Sequence, residues 1–218
     1  MSKLSEYISK DKERYGKVYS DITYAINEIE PFIDSKILKQ RKYTTHLPIL
    51  SKYMNLIDSV VADSGKEKFL GFLKDDKSIN VLENYKNEHY GYIYQLEKCH
   101  KCECLNCTKE CSFDTCLGCR DGSNVVSCDH STTNVVFFEN FVIPLNNDST
   151  GEVNDYEVLA VIQDVSINKR YILLDGIDID NKLVLYYYPG ISSTTYGEIT
   201  NEKEFDNVIS IYQSIEKE

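Results

Sequence analysis

CHKCECLNCTKECSFDTCLGCRDGSNVVSCDH, residues 99–130, holds all eight cysteines of the 218-residue chain and separates two regions with different apolar periods. Before it, apolar residues recur every three or four positions, which lines one face of a helix. After it they come in short β-rich runs that suit strands. The chain therefore reads as α+β. An N-terminal small helical bundle is expected over 1–98, a central cysteine-rich zinc-binding module over 99–134, and a C-terminal antiparallel β-meander with a terminal helix over 135–218.

The cysteine spacing points to metal. CHKC, CLNC and CLGC each place two thiols either side of two residues, so that a tight turn can aim both at one ion. Eight thiols suit two zinc ions, with one ion as the alternative. A division consistent with the spacing is Cys99, Cys102, Cys116 and Cys119 at one ion and Cys104, Cys107, Cys111 and Cys128 at the other. His130 could replace Cys128, and His100 is a further candidate. The segment is too polar to fold by burial alone, so the metal would supply its stability.

An iron-sulfur cluster and a disulfide framework are the competing readings. The ferredoxin run is absent, because one residue separates Cys102 from Cys104 and no proline follows any cysteine. Disulfides belong to exported chains. The first twenty residues alternate charge with apolar groups, and no apolar run reaches membrane-spanning length. The expectation is a cytoplasmic protein that avoids membranes.

Over 1–98 three stripes appear. Leu4, Ile8, Tyr15, Val18, Tyr19, Ile22, Ile26 and Ile29 form the first, which Pro31 should interrupt. Leu50, Tyr53, Met54, Ile57, Val60 and Val61 form the second, with Thr45 and Pro48 as start signals and Gly65 as a stop. A short apolar piece at Phe69, Phe72 and Leu73 precedes the third, Leu82, Tyr85, His89, Tyr92, Ile93 and Leu96. The one basic cluster, Lys36, Lys39, Arg41 and Lys42, reads as a solvated helix end or a docking point for anions.

Over 135–218 the runs NVVFFENFVIPL, YEVLAVIQDV, KRYILLD and KLVLYYY read as strands, the first beginning at residue 134. A last helix starts at Thr200 or Asn201, with Glu204 completing a capping box for the second choice. Its apolar face is Phe205, Val208, Ile209, Tyr212 and Ile215. From 156 to 215, the carrying residues YEVLAVIQD, KRYILLDGID, KLVLYYY, the GEI of 197–199 and the EFDNV of 204–208 give an order that resembles the YrzB-like domains of Firmicutes. That resemblance implies three strands and a terminal helix in a small acidic domain, with no assigned reaction. The Tyr-rich third strand and the loop from Pro189 to Tyr196 depart from the pattern.

Charge narrows the function. The chain carries a net charge of -11, and residues 135–218 hold 15 acidic against 5 basic side chains. Duplex DNA needs a basic footprint, and the cysteine segment offers only Lys101, Lys109 and Arg120. Direct nucleic-acid binding is therefore disfavoured and a protein partner is expected. The leading reading is a non-enzymatic regulatory or interaction protein that uses its acidic C-terminal module, with Tyr186, Tyr187, Tyr188 and Tyr196 as interface candidates. One alternative is a phage- or mobile-element-borne inhibitor that presents an acidic face to a nucleic-acid-binding enzyme. The other is a metal-containing enzyme, for which His46, His89, Asp175, Asp178 and Asp180 are the loose candidates and no complete catalytic motif exists.

Overall fold

A computed structural model describes residues 2–64, 71–109, 119–120, 122–147, 150–190 and 193–216. Two compact units emerge, Met1–His100 with Leu105–Thr108 and Lys101–Cys104 with Lys109–Glu218. The α+β class holds: helices fill the first unit, and an antiparallel sheet with a C-terminal helix fills the second.

The helical unit begins with α1 (Lys3–Ile29), whose first turn is capped where Ser2 Oγ accepts from the Ser5 amide at 3.2 Å. Pro31 ends it as expected, turning the chain into a 3-10 turn over Glu30–Phe32. Two further helices follow, α2 (Ser35–Gln40) and α3 (Lys42–Ser64). The start of α3 lies upstream of Thr45, with Pro48 inside the helix. Tertiary anchoring explains the early start. Tyr43 is buried, its hydroxyl donates to the Leu105 carbonyl at 3.4 Å, and Arg41 donates to the Tyr43 hydroxyl at 2.9 Å.

The third stripe splits at His89 into α4 (Gly71–Glu88) and α5 (Tyr90–His100). Gly65 and Phe69 lie outside the described residues, as do the side chains of Phe72 and Leu73. The core gathers all three stripes, with Ile22, Leu50, Tyr53, Ile57, Leu82 and Leu96 fully buried. Burying each aliphatic side chain contributes about 1.5–3 kcal/mol against chain entropy.

Among its described residues the sheet unit has seven strands: β1 (Ser123–Cys128), β2 (Thr133–Phe138), β3 (Val142–Asn146), β4 (Val153–Asp164), β5 (Lys169–Gly176), β6 (Lys182–Tyr188) and β7 (Thr195–Glu198). Their order is β1-β2-β4-β5-β6-β7, and β3 pairs with β4. Among the described residues strand structure thus begins at Ser123, inside the cysteine segment. The run expected as one strand over 134–145 is two, both antiparallel to β4 but displaced in register by two residues. Asn140 at φ 56 sits at the break. On β4, Leu159 is an extra residue in the pairing with β5. This bulge lets Val158 and Val161, three positions apart, face the same core.

Each sheet face has its own core. One gathers Val125, Val136, Val158, Val161, Ile172 and Leu174. The other gathers Val135, Ala160, Ile162, Tyr171 and Leu173, and α6 (Glu202–Glu216) covers it with Val208, Ile211, Tyr212 and Ile215. Asn201 caps α6, its Oδ1 accepting from the Glu204 amide at 3.1 Å. The capping box is half realised, because the Glu204 carboxylate turns to the sheet. It accepts from Lys169 Nζ at 2.6 Å and the Tyr171 hydroxyl at 2.6 Å. Burial followed by the Glu204 carboxylate pushes the Tyr171 hydroxyl well above its ordinary range. Glu204 itself is held below its ordinary value, because Lys169 and the hydroxyls of Tyr171 and Tyr186 outweigh the opposing effect of burial.

Candidate functional site

The cysteines divide between the two units. Cys99 sits in the last turn of α5, buried in the helical core, and accepts from Gln95 Nε2 at 3.6 Å. His100, a candidate ligand, places Nε2 2.7 Å from Asp21 Oδ2 in the same unit. Cys107 also belongs there, where its carbonyl accepts from Arg41 Nη2 at 2.8 Å. Arg41 thereby acts as a structural brace, while Lys36 and Lys39 of the basic cluster are exposed.

Cys102, Cys104 and Cys128 pack half-buried against the sheet core that faces away from α6. The turn carrying the first two runs beside β1, where the Glu103 amide donates to the Val125 carbonyl at 2.9 Å and the Val125 amide donates to Cys102 Sγ at 3.4 Å. The Cys102 thiol is lowered to about 7. A hydrogen bond from the Cys104 thiol is the main cause, and the amides of Cys104 and Val125 add to it against burial and the Glu103 charge. Amide donors stabilise thiolate, the form that binds metal.

The turn after β1 is shaped by Asp129, whose Oδ1 accepts from the Ser131 and Thr132 amides at 2.8 Å each. Within it the His130 amide donates to Cys128 Sγ at 3.4 Å. Cys119 is exposed, and Cys111 and Cys116 lie outside the described residues. None of the six described cysteines is bridged. Among the described residues no three His, Cys, Asp or Glu side chains converge as a metal site. Cys102 and Cys104 are in direct contact, a C-x-C pair rather than one of the C-x2-C pairs.

The loose catalytic candidates fall in different units, His46 and His89 in the helical one and Asp175, Asp178 and Asp180 in the sheet one. The His46 ring lies edge-on to Tyr92 at 4.9 Å, and the His89 ring stacks on Tyr85 at 4.3 Å. Asp175 pairs with Lys182 at 3.2 Å, and Asp178 and Asp180 lie in the turn that follows. The four tyrosines alternate in the sheet. Tyr187 is buried, Tyr186 and Tyr196 are half-buried, and Tyr188 is the exposed one.

Two features escaped the sequence reading. The first is a buried polar cluster in the helical core: the Tyr53 hydroxyl donates to Asp11, and Lys86 Nζ donates to Asp11 Oδ2 at 2.9 Å. Asp11 sits three residues after Ile8 and four before Tyr15, inside the first stripe, and that position was the available signal. The second is a groove of about 870 Å3 on the sheet face away from α6, with Leu145, Tyr156, Ile179, Leu183, Leu185 and Tyr196 among its lining. Gly176 permits the tight turn that sends Ile179 there, since a side chain at Gly176 would meet the Ile179 carbonyl at 2.6 Å. No helix among the described residues is long and apolar enough to cross a membrane. No family model matches the chain, and neither a curated protein nor a solved structure is similar to it.

Proposed function

We propose that the chain is a non-enzymatic, zinc-stabilised interaction protein that binds a basic protein partner through its acidic C-terminal module. The observation that carries this reading is the state of the carboxylates in that module. Glu204 and Asp175 are paired with lysines, whereas Glu152, Glu157, Glu198, Glu202 and Asp206 have no ion pair among the described residues. Glu157 even stands directly opposite Asp175 in the β4–β5 ladder, where like charges oppose pairing. A field of this kind speeds the encounter with a cationic partner, while each exposed pair adds little affinity.

Zinc belongs to the same reading. The cysteines of 99–128 would hold two ions, and the amide-stabilised sulfur of Cys102 beside Cys104 supports that chemistry. The metal would act structurally, by fixing a segment that has few apolar residues of its own.

Reversing Glu198, Glu202 and Asp206 to lysine tests the partner reading. Association with a cross-linked and identified partner should slow by about tenfold while dissociation changes less. Binding should also weaken from about 0.05 to 0.5 M salt, as the Debye length contracts to roughly 4 Å. An association rate that ignores both changes overturns the reading.

A further inference from the structure

The groove on the sheet face away from α6 is open, apolar at its floor and anionic at its rim. Leu145, Ile179, Leu183, Leu185 and Tyr196 are only half-buried there, although each packs against the sheet core. A volume of about 870 Å3 lies within the range of sites that enclose a drug-sized ligand or a few residues of peptide. Glu152 and Glu198 also line it, and among the described residues neither is ion-paired and no lysine or arginine lines it. Beside the groove runs β7, which pairs with β6 alone and leaves its outer backbone edge without a ladder partner among the described residues.

We infer that this groove is the seat of an extended segment of a protein partner in which basic and apolar residues alternate. The inference rests on the partner reading above and names the surface and the chemistry it selects. In an extended chain successive side chains point to opposite sides, so one set can enter the apolar floor while the other meets the rim. The segment lies over the groove face of the sheet, where its apolar side chains cover Leu183, Leu185 and Tyr196 and its cations meet Glu152 and Glu198 at the rim. Charge decides the sign of the occupant: an acidic segment would bring like charge against two unneutralised carboxylates.

The full-length chain can be titrated with a fluorescein-labelled heptapeptide of alternating lysine and leucine. Peptides with glutamate in place of lysine and with serine in place of leucine serve as comparisons. The lysine–leucine peptide should bind at least about tenfold tighter than either. The double variant Glu152→Lys, Glu198→Lys should weaken it by about tenfold, and Glu202→Lys, Asp206→Lys on α6 by less than about twofold. Leu185→Ser tests the floor independently, with circular dichroism confirming that the sheet is retained, and should also weaken binding.

Equal binding of the glutamate peptide, or unchanged affinity in both groove variants, overturns the inference. So does self-association that the peptide competes away, because the occupant would then be a second copy of the chain. An identified partner that responds to the α6 reversal but not to the Glu152 and Leu185 variants would leave the partner reading standing and remove the groove from it. A partner indifferent to all of these charges would remove both.

Discussion

Asp11 shows how one polar residue can fix a helical core. It is 8% exposed among aliphatic and aromatic neighbours, and it is retained because the Tyr53 hydroxyl and the Lys86 ammonium both donate to it. Burial and then the Asp11 carboxylate drive the Tyr53 hydroxyl far above its ordinary range, so it stays a donor at any physiological pH. Lys86 is held charged, because burial is outweighed by the Asp11 carboxylate to which it donates. Its Nζ also lies 4.7 Å from the centre of the Tyr7 ring. Asp11→Ala would strand a cation and a hydroxyl and should destabilise the chain by about 3 kcal/mol. Tyr53→Phe removes one donor and leaves Lys86 in place, so about 1–2 kcal/mol is expected. Urea unfolding followed by circular dichroism measures both, and a smaller loss for Asp11→Ala than for Tyr53→Phe would contradict this account.

At the scale of elements, α6 is held to the sheet by two kinds of contact that pH separates. Val208 is 1% exposed, and Val208→Ala should cost about 2 kcal/mol at any pH where the chain folds. Glu204 contributes through charge. Its folded-state value is lowered from 4.5, so its contribution is fully present above that value and is lost as pH falls through the lower folded-state value. Glu204→Gln should therefore lower the urea midpoint at pH 7, and the difference from the unmodified chain should shrink below about pH 4. A difference that persists unchanged into acid would mean that the contact acts by shape alone. The helix and its apolar face were legible in the sequence, since the Asn201 cap and the spacing of Val208, Tyr212 and Ile215 are local signals. The destination of the Glu204 side chain was not, because its partners lie 33 and 35 residues away on β5. The Leu159 bulge and the break at Asn140 were hidden for a similar reason: both belong to the pairing of β4 with its neighbours, which no local signal encodes.

For the whole molecule, the change of apolar period around the cysteines located both sets of elements, while the boundary itself was less legible. Leu105 looks like part of the cysteine loop in sequence, yet it is buried in the helical core, whereas Cys102 and Cys104 three residues or fewer upstream pack on the sheet core. Spacing encodes which thiols a turn can aim together, but it does not encode which core claims the residues between them. That distribution has a consequence for metal removal. The helical and sheet units each bury a core built from their own residues, so each is expected to keep its elements when zinc is removed. Among the described residues between α5 and β1, the Glu103 amide on the Val125 carbonyl and the Tyr43 hydroxyl on the Leu105 carbonyl are anchors. Structural zinc contributes on the order of 10 kcal/mol to modules of this kind, enough to hold such a stretch by itself. Elemental analysis of protein made without added metal should find about two zinc equivalents, the number eight thiolates can satisfy at four per ion. Less than about half an equivalent would overturn the metal assignment. Chelation should then open residues 99–130 to limited proteolysis while far-ultraviolet circular dichroism changes little. If the helical and strand signals collapsed together on chelation, the zinc would have to be part of the cores themselves.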